Sequence, residues 1–218
     1  HPVNNDSIYN GAVDNASGTA ALLAIAEAFK KSTPSKRSIV FIAVTAEEQG
    51  LLGSAYYSEH PIYDPKTTVA NINMDAFESP GPMKDLTITG FGQSEMDEYA
   101  KVAAEKQGRY VIPDPEAEKG YFFRSDHFNF AKIGIPALYA SGGFEDFENG
   151  VDFVQKMKED YQTNKYHQPA DEYIPGVTEL SGIQFDAQLL FQVGLRLSNE
   201  TYFPKWYPTS EFKAAREK

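Results

Sequence analysis

Apolar positions recur along this chain with two alternating periods, and their order sets the expected architecture. Residues 16–31 carry Ala20, Leu22, Leu23, Ala26 and Phe29 at helical spacing, and Pro34 follows as a stop. Residues 38–45 form a short β-branched and aromatic run of the kind that fills a sheet covered on both faces. Further strands are expected at 69–74, 85–89 and 135–140, and further helices at 51–59, 94–107, 125–133 and 177–199. Pro113 and Pro115 argue for a loop over 109–118, and Gly142-Gly143 opens a long polar segment with one helix-like piece inside it. Strands that alternate with helices predict an α/β fold: three layers, helix–sheet–helix, around a mostly parallel, mixed sheet. No internal repeat or linker interrupts the 218 residues, so one domain spanning 1–218 is expected.

Composition narrows the chemistry. Acidic residues outnumber basic ones 31 to 20 and no basic stripe is present, which argues against nucleic acid as a partner. There is no cysteine, so disulfides and thiolate metal sites are excluded. Any metal must be held by carboxylates and by the histidines His1, His60, His127 and His167. No apolar run approaches the length of a membrane span.

Candidate ligands stand where strands end or loops begin. Glu47 and Glu48 follow the 38–45 run, at the edge where open α/β sheets place their ligands. Neighbours in extended chain point opposite ways, so one can grip a cation while the other faces water or substrate. Asp14 precedes a helix among small residues, Asp75 ends the 69–74 run, and His167 lies in a loop. Each has a plain alternative. Asp14, Asn15 or Ser17 can cap a helix, the glutamates can be solvated, Asp75 can simply close a strand, and His167 can be exposed. Oxygen and imidazole ligands dispersed over the chain suit zinc better than calcium, whose ligands cluster in one segment.

Five segments carry a resemblance: Gly11-Ala12-Val13-Asp14-Asn15-Ala16-Ser17-Gly18, Glu47-Glu48-Gln49-Gly50-Leu51-Leu52-Gly53-Ser54, Asn73-Met74-Asp75, Ser125-Asp126-His127-Phe128 and Tyr166-His167. In this order they resemble the zinc-dependent exopeptidases of the bacterial leucyl aminopeptidase type, a family that includes glutamate-carboxypeptidase-like enzymes. The resemblance implies hydrolysis of a peptide bond at a chain end, most simply by an aminopeptidase acting on peptide substrates. Asp14 would bridge two zinc ions, Asp75 would bind the first, Glu48 and His167 would complete the second, and Glu47 would be the general base of a zinc-activated water. It also implies a cis peptide after Asp14 and a periplasmic or secreted location. Asn15, Asp126, His127 and Asp171 are expected as supporting or substrate-side groups, Asp171 by orienting the His167 ring; His127 can equally be a buried structural histidine and Asp171 a solvated loop acid. Tyr121-Phe122-Phe123 is expected to serve the core or an apolar pocket, and His60 to be an exposed helix end.

Two other readings share the scaffold: a glutaminyl cyclase, with one zinc, and an inert receptor-like relative. The family's upstream His-x-Asp motif has no counterpart here, and His1-Pro2-Val3 is an abrupt opening. The expectation is therefore a catalytic-domain piece without its N-terminal strands. It should hold one zinc or none, show weak activity, and tend to self-associate through an uncovered sheet edge.

Overall fold

The computed structural model describes residues 2–217, so His1 lies outside the described residues. After an irregular turn at 12–17, helix α1 (Gly18–Lys31) and helix α2 (Leu52–Glu59) precede strand β1 (Asn71–Asn73). Strand β2 (Asp85–Thr89), helix α3 (Met96–Lys106), strand β3 (Tyr110–Pro113), helix α4 (His127–Lys132) and strand β4 (Ala137–Gly142) follow. Helices α5 (Gly150–Asn164), α6 (Ser181–Asn199) and α7 (Lys213–Arg216) close the chain.

The sheet order is β1-β4-β2-β3. The β1–β4 and β2–β3 pairs are parallel and the β2–β4 pair is antiparallel, which gives the mixed α/β sheet expected. Side-chain alternation along β4 assigns the layers. Leu138 and Ala140 face the core shared by α1, α3 and α6, while Tyr139 faces the other side, where its ring meets His127 of α4 at 5.1 Å. β1 repeats the pattern: Ile72 packs on the core and Asn73 reaches Ser125 beside α4. Helix α6 alone buries Leu189, Leu190, Val193 and Leu197, each worth about 1.5–3 kcal/mol when fully covered.

Four expectations change. The buried stripe of α1 is Ala21 and Ile25, flanked by Leu22 and Phe29, whereas Leu23 is 66% exposed. Residues 110–113 form a strand instead of a loop, because β3 is the sheet edge and Pro113 sits at its end, where no donor is required. Helix α7 was not signalled by the periodicity. Most consequentially, residues 38–45 form no strand. A ladder needs a neighbour, and among the described residues the backbone of 38–44 has no strand partner. A cavity of about 1030 Å³ lies between this segment and β1, lined by Ile39, Phe41, Ile25, Phe29, Ile72 and Leu190 among others. Its polar end reaches Asp14, Glu47, Glu48 and Asp75.

Candidate metal centre

The turn at 12–17 is built to present Asp14. Gly11 takes φ +58, and a Cβ there would lie 2.4 Å from the Asp14 carbonyl oxygen, so only glycine fits. Asp14 and Asn15 depart from helical geometry, and the bond between them is cis. Asn15 then turns back to β1. Its Nδ2 donates to Met74 O at 3.0 Å, and its Oδ1 accepts from Ala76 N at 3.3 Å and Gly18 N at 3.0 Å. Asn15 therefore straddles Asp75. A Cβ on Gly18 would lie 2.3 Å from Asn15 Oδ1, so this close seam also needs glycine.

Glu47 and Glu48 occupy a single tight turn entered through Ala46 and left through Gly50 and Leu51, all with positive φ. Leu51 N donates to Glu47 O at 2.8 Å, and Asn129 of α4 donates to Leu51 O at 3.3 Å and to Ser54 Oγ of α2 at 2.7 Å, which ties the turn to the far layer. His167, with φ 55, stacks on Tyr166 at 3.8 Å.

These elements bring three of the predicted ligands to one point. His167 Nε2 lies 3.2 Å from Asp14 Oδ2 and 3.0 Å from Glu48 Oε1, and the donor atoms of Asp14, Glu48 and His167 all fall within 4.8 Å of one another. Ligands sharing a tetrahedral zinc at 2.0–2.2 Å stand about 3.4 Å apart. Two carboxylates and an imidazole at this spacing therefore fit the ion. Asp75 stands outside the trio. Its Oδ2 accepts the Ser125 hydroxyl at 2.5 Å, and Ser125 in turn accepts from Asn73 Nδ2 at 2.7 Å. A place beside a different ion is where the resemblance put it.

Like charge accumulates here. Burial, reinforced by Asp75, Glu48, Asp126 and Asp14, pushes the Glu47 carboxyl up to about 8. Burial lifts Asp75 to about 6, against the pull of its Ser125 hydrogen bond. Burial and then Glu48 raise Asp14, and burial raises Asp126, which Ser54 partly offsets. Carboxylates that hold their protons this tightly have too little positive charge around them, which a cation would supply.

Asp171 departs from both expected roles, and for His127 the structure selects the buried structural one. Asp171 does not orient His167: its Oδ1 accepts Val13 N at 2.9 Å and its Oδ2 accepts Asp14 N at 3.1 Å. His127 is fully buried between Phe122 and Tyr139, with neither ring nitrogen hydrogen-bonded, so it belongs to the core behind the site and not to the substrate side. Asp126 does line the cavity, facing Glu47. Phe122 packs on Phe212 and Phe128, whereas Phe123 is half exposed. His60 ends α2 and stacks on Tyr56. Tyr139, whose hydroxyl donates to Asp75 O at 3.3 Å, was hidden in an apolar strand pattern.

A family model described as Peptidase family M28 matches residues 2–176. The chain belongs to that family. Among M28 relatives, aminopeptidase YwaD of Bacillus subtilis (strain 168) is 30% identical over 171 residues, covering 74% of this chain and 32% of the relative. A probable zinc metalloprotease of Pyrenophora tritici-repentis (strain Pt-1C-BFP) is 28% identical over 181 residues, covering 78% and 36%. The M28 chain thus spans about a third of the length of these curated relatives. An aminopeptidase from Aneurinibacillus sp. strain AM-1 shares the fold with a TM-score of 0.64 at 20% identity, over 91% of this chain and 43% of that one.

Proposed function

We propose that this chain is the catalytic part of a zinc-dependent exopeptidase that removes residues from the amino terminus of peptides. The observation that supports it is the convergence of Asp14, Glu48 and His167 from three distant segments onto one cation-sized position. Asp14, Glu48 and His167 would hold one ion, and Asp75 would belong to a second position that the described residues fill only in part. Zinc, when bound, supplies a Lewis acid that polarises a carbonyl and lowers the pKa of a water.

Glu47 supplies the proton transfer. Its carboxyl lines the same cavity without joining the ligand trio; a bound cation would bring its raised pKa down and leave it able to accept a proton from water and hand it to the departing amine. Tyr166, stacked on His167 and held protonated by burial, up to about 12, stays a donor throughout. Asp126, which lines the cavity outside the ligand set, favours a substrate that brings a positive charge, as a free α-amino group does. A carboxylate-recognising enzyme needs a cation instead. Arg124 is exposed, 5.7 Å over the Tyr121 ring, and Lys158 is engaged with Glu78 at 3.8 Å.

Zinc-loaded protein should release p-nitroaniline from leucine p-nitroanilide and leave a peptide blocked at its amino terminus intact. Cleavage of the blocked peptide from its carboxyl end would overturn the specificity, and failure to bind zinc would overturn the reading as a whole. The open edge of β1 and the apolar wall of 38–44 also support self-association, which sedimentation velocity would detect as a concentration-dependent shift.

A further inference from the structure

Asp14, Asp75 and His167 come from remote parts of the chain, and two side chains that are not ligands stitch their backbones together. Asp171 is only 3% exposed, and its carboxylate accepts three hydrogen bonds. Val13 N reaches Oδ1 at 2.9 Å, Asp14 N reaches Oδ2 at 3.1 Å, and the Tyr161 hydroxyl reaches Oδ2 at 3.3 Å. Ala12 N adds a bond to the Asp171 carbonyl at 3.0 Å. Two consecutive peptide N–H groups forked onto one buried carboxylate fix the direction in which the Asp14 side chain leaves the backbone. Asp171 also closes the turn that follows His167, because its N–H donates to Gln168 O at 3.1 Å. The backbone next to His167 is thereby tied to the backbone that carries Asp14.

The next residue repeats the device in the other direction. Asn15 uses both faces of its amide on the peptide groups flanking Asp75, donating to Met74 O and accepting from Ala76 N. Asp171, residues 13–15 and residues 74–76 thus form a continuous hydrogen-bonded belt behind the carboxylates.

We infer that Asp171 and Asn15 are positioning residues that set the spacing of the metal ligands, Asp171 by clamping the Asp14 backbone and Asn15 by clamping the peptides on either side of Asp75. This rests on the metal-site reading above. Neither residue reaches the reacting atoms, and a site whose ligands are held from behind binds its ion more tightly than the same ligands on free turns.

The test uses Co²⁺ as a visible probe with the whole chain. Asp171→Asn keeps the size of the side chain but turns an N–H₂ toward one of the two amides. Asn15→Asp keeps the acceptor but loses the donor to Met74 O. Each variant should weaken Co²⁺ binding by about 10–100-fold and lower the intensity of the d–d absorption bands, which report ligand geometry. A lower melting temperature with unchanged affinity and spectrum would make the belt mere scaffolding and overturn the inference. If Asp171→Asn loses its near-ultraviolet circular dichroism, Asn15→Asp decides alone on the same two readouts. Wild-type protein that binds no Co²⁺ refutes the metal-site reading itself and removes this inference with it.

Discussion

Asn73 and Tyr139 sit directly opposite each other in the parallel β1–β4 pair, and both converge on Asp75. Tyr139 donates to its carbonyl, while Asn73 acts through Ser125 on its carboxylate. A serine has one hydroxyl proton. Because Asn73 Nδ2 donates to the oxygen, that proton is committed to Asp75. The sheet register itself therefore aims an acidic group at the mouth of the cavity, and the expectations below follow from groups placed in this way.

Glu47→Gln should lower kcat by about 10²–10⁴-fold and leave zinc stoichiometry unchanged, since Glu47 is not among the three clustered ligands. Paired steady-state kinetics and metal analysis check this. A variant with near-wild-type turnover takes the proton-transfer role away from Glu47.

His167→Ala deletes the only nitrogen of the trio. Zinc at about 100 times its dissociation constant should stabilise the wild type by about 2.7 kcal/mol and the variant hardly at all. Thermal melts with zinc and with a chelator measure the difference.

Burial holds the His127 imidazole neutral and pushes its pKa down to about 3. The unfolded chain takes up that proton below about 6.5 while the folded one refuses it. The contribution is therefore complete above pH 6.5 and is lost progressively as pH falls toward 3. Between pH 7 and pH 5 the wild type should lose about 2 kcal/mol relative to His127→Phe, read from urea unfolding at both pH values. A pH-independent difference would mean that the ring is hydrated or paired.

Arg109 and Asp186 form an ion pair at 2.8 Å with side chains 0% and 2% exposed. Asp186 Oδ2 also accepts from Ser79 and from Gly142 N, so the loop after Asp75 hangs on it. Asp186→Ala should cost about 3–5 kcal/mol, whereas replacing both partners by apolar residues of similar volume should cost much less. Chemical denaturation of the single and double variants separates the two cases.

The acidic and imidazole ligands were legible because they stand at punctuation points: Asp14 ahead of a helix, Glu48 after an apolar run, His167 in a turn. Strand β2 and helix α6 were legible because one period rules each. The supporting residues were not. The target of Asp171 depends on a backbone far away in sequence, and Tyr139 reads as ordinary strand filler. Residues 110–113 were mistaken for loop because a proline rule meant for inner strands was applied to an edge. Residues 38–45 carry every local mark of a strand, but pairing is a property of two segments and cannot be read from one.

The unpaired run has a consequence for labelling. Amides at 39–44 should exchange with heavy water almost as fast as in an unstructured peptide, while those of β2, flanked by ladders on both sides, stay protected. The oiliest stretch of this polypeptide would then be among the first to take up deuterium.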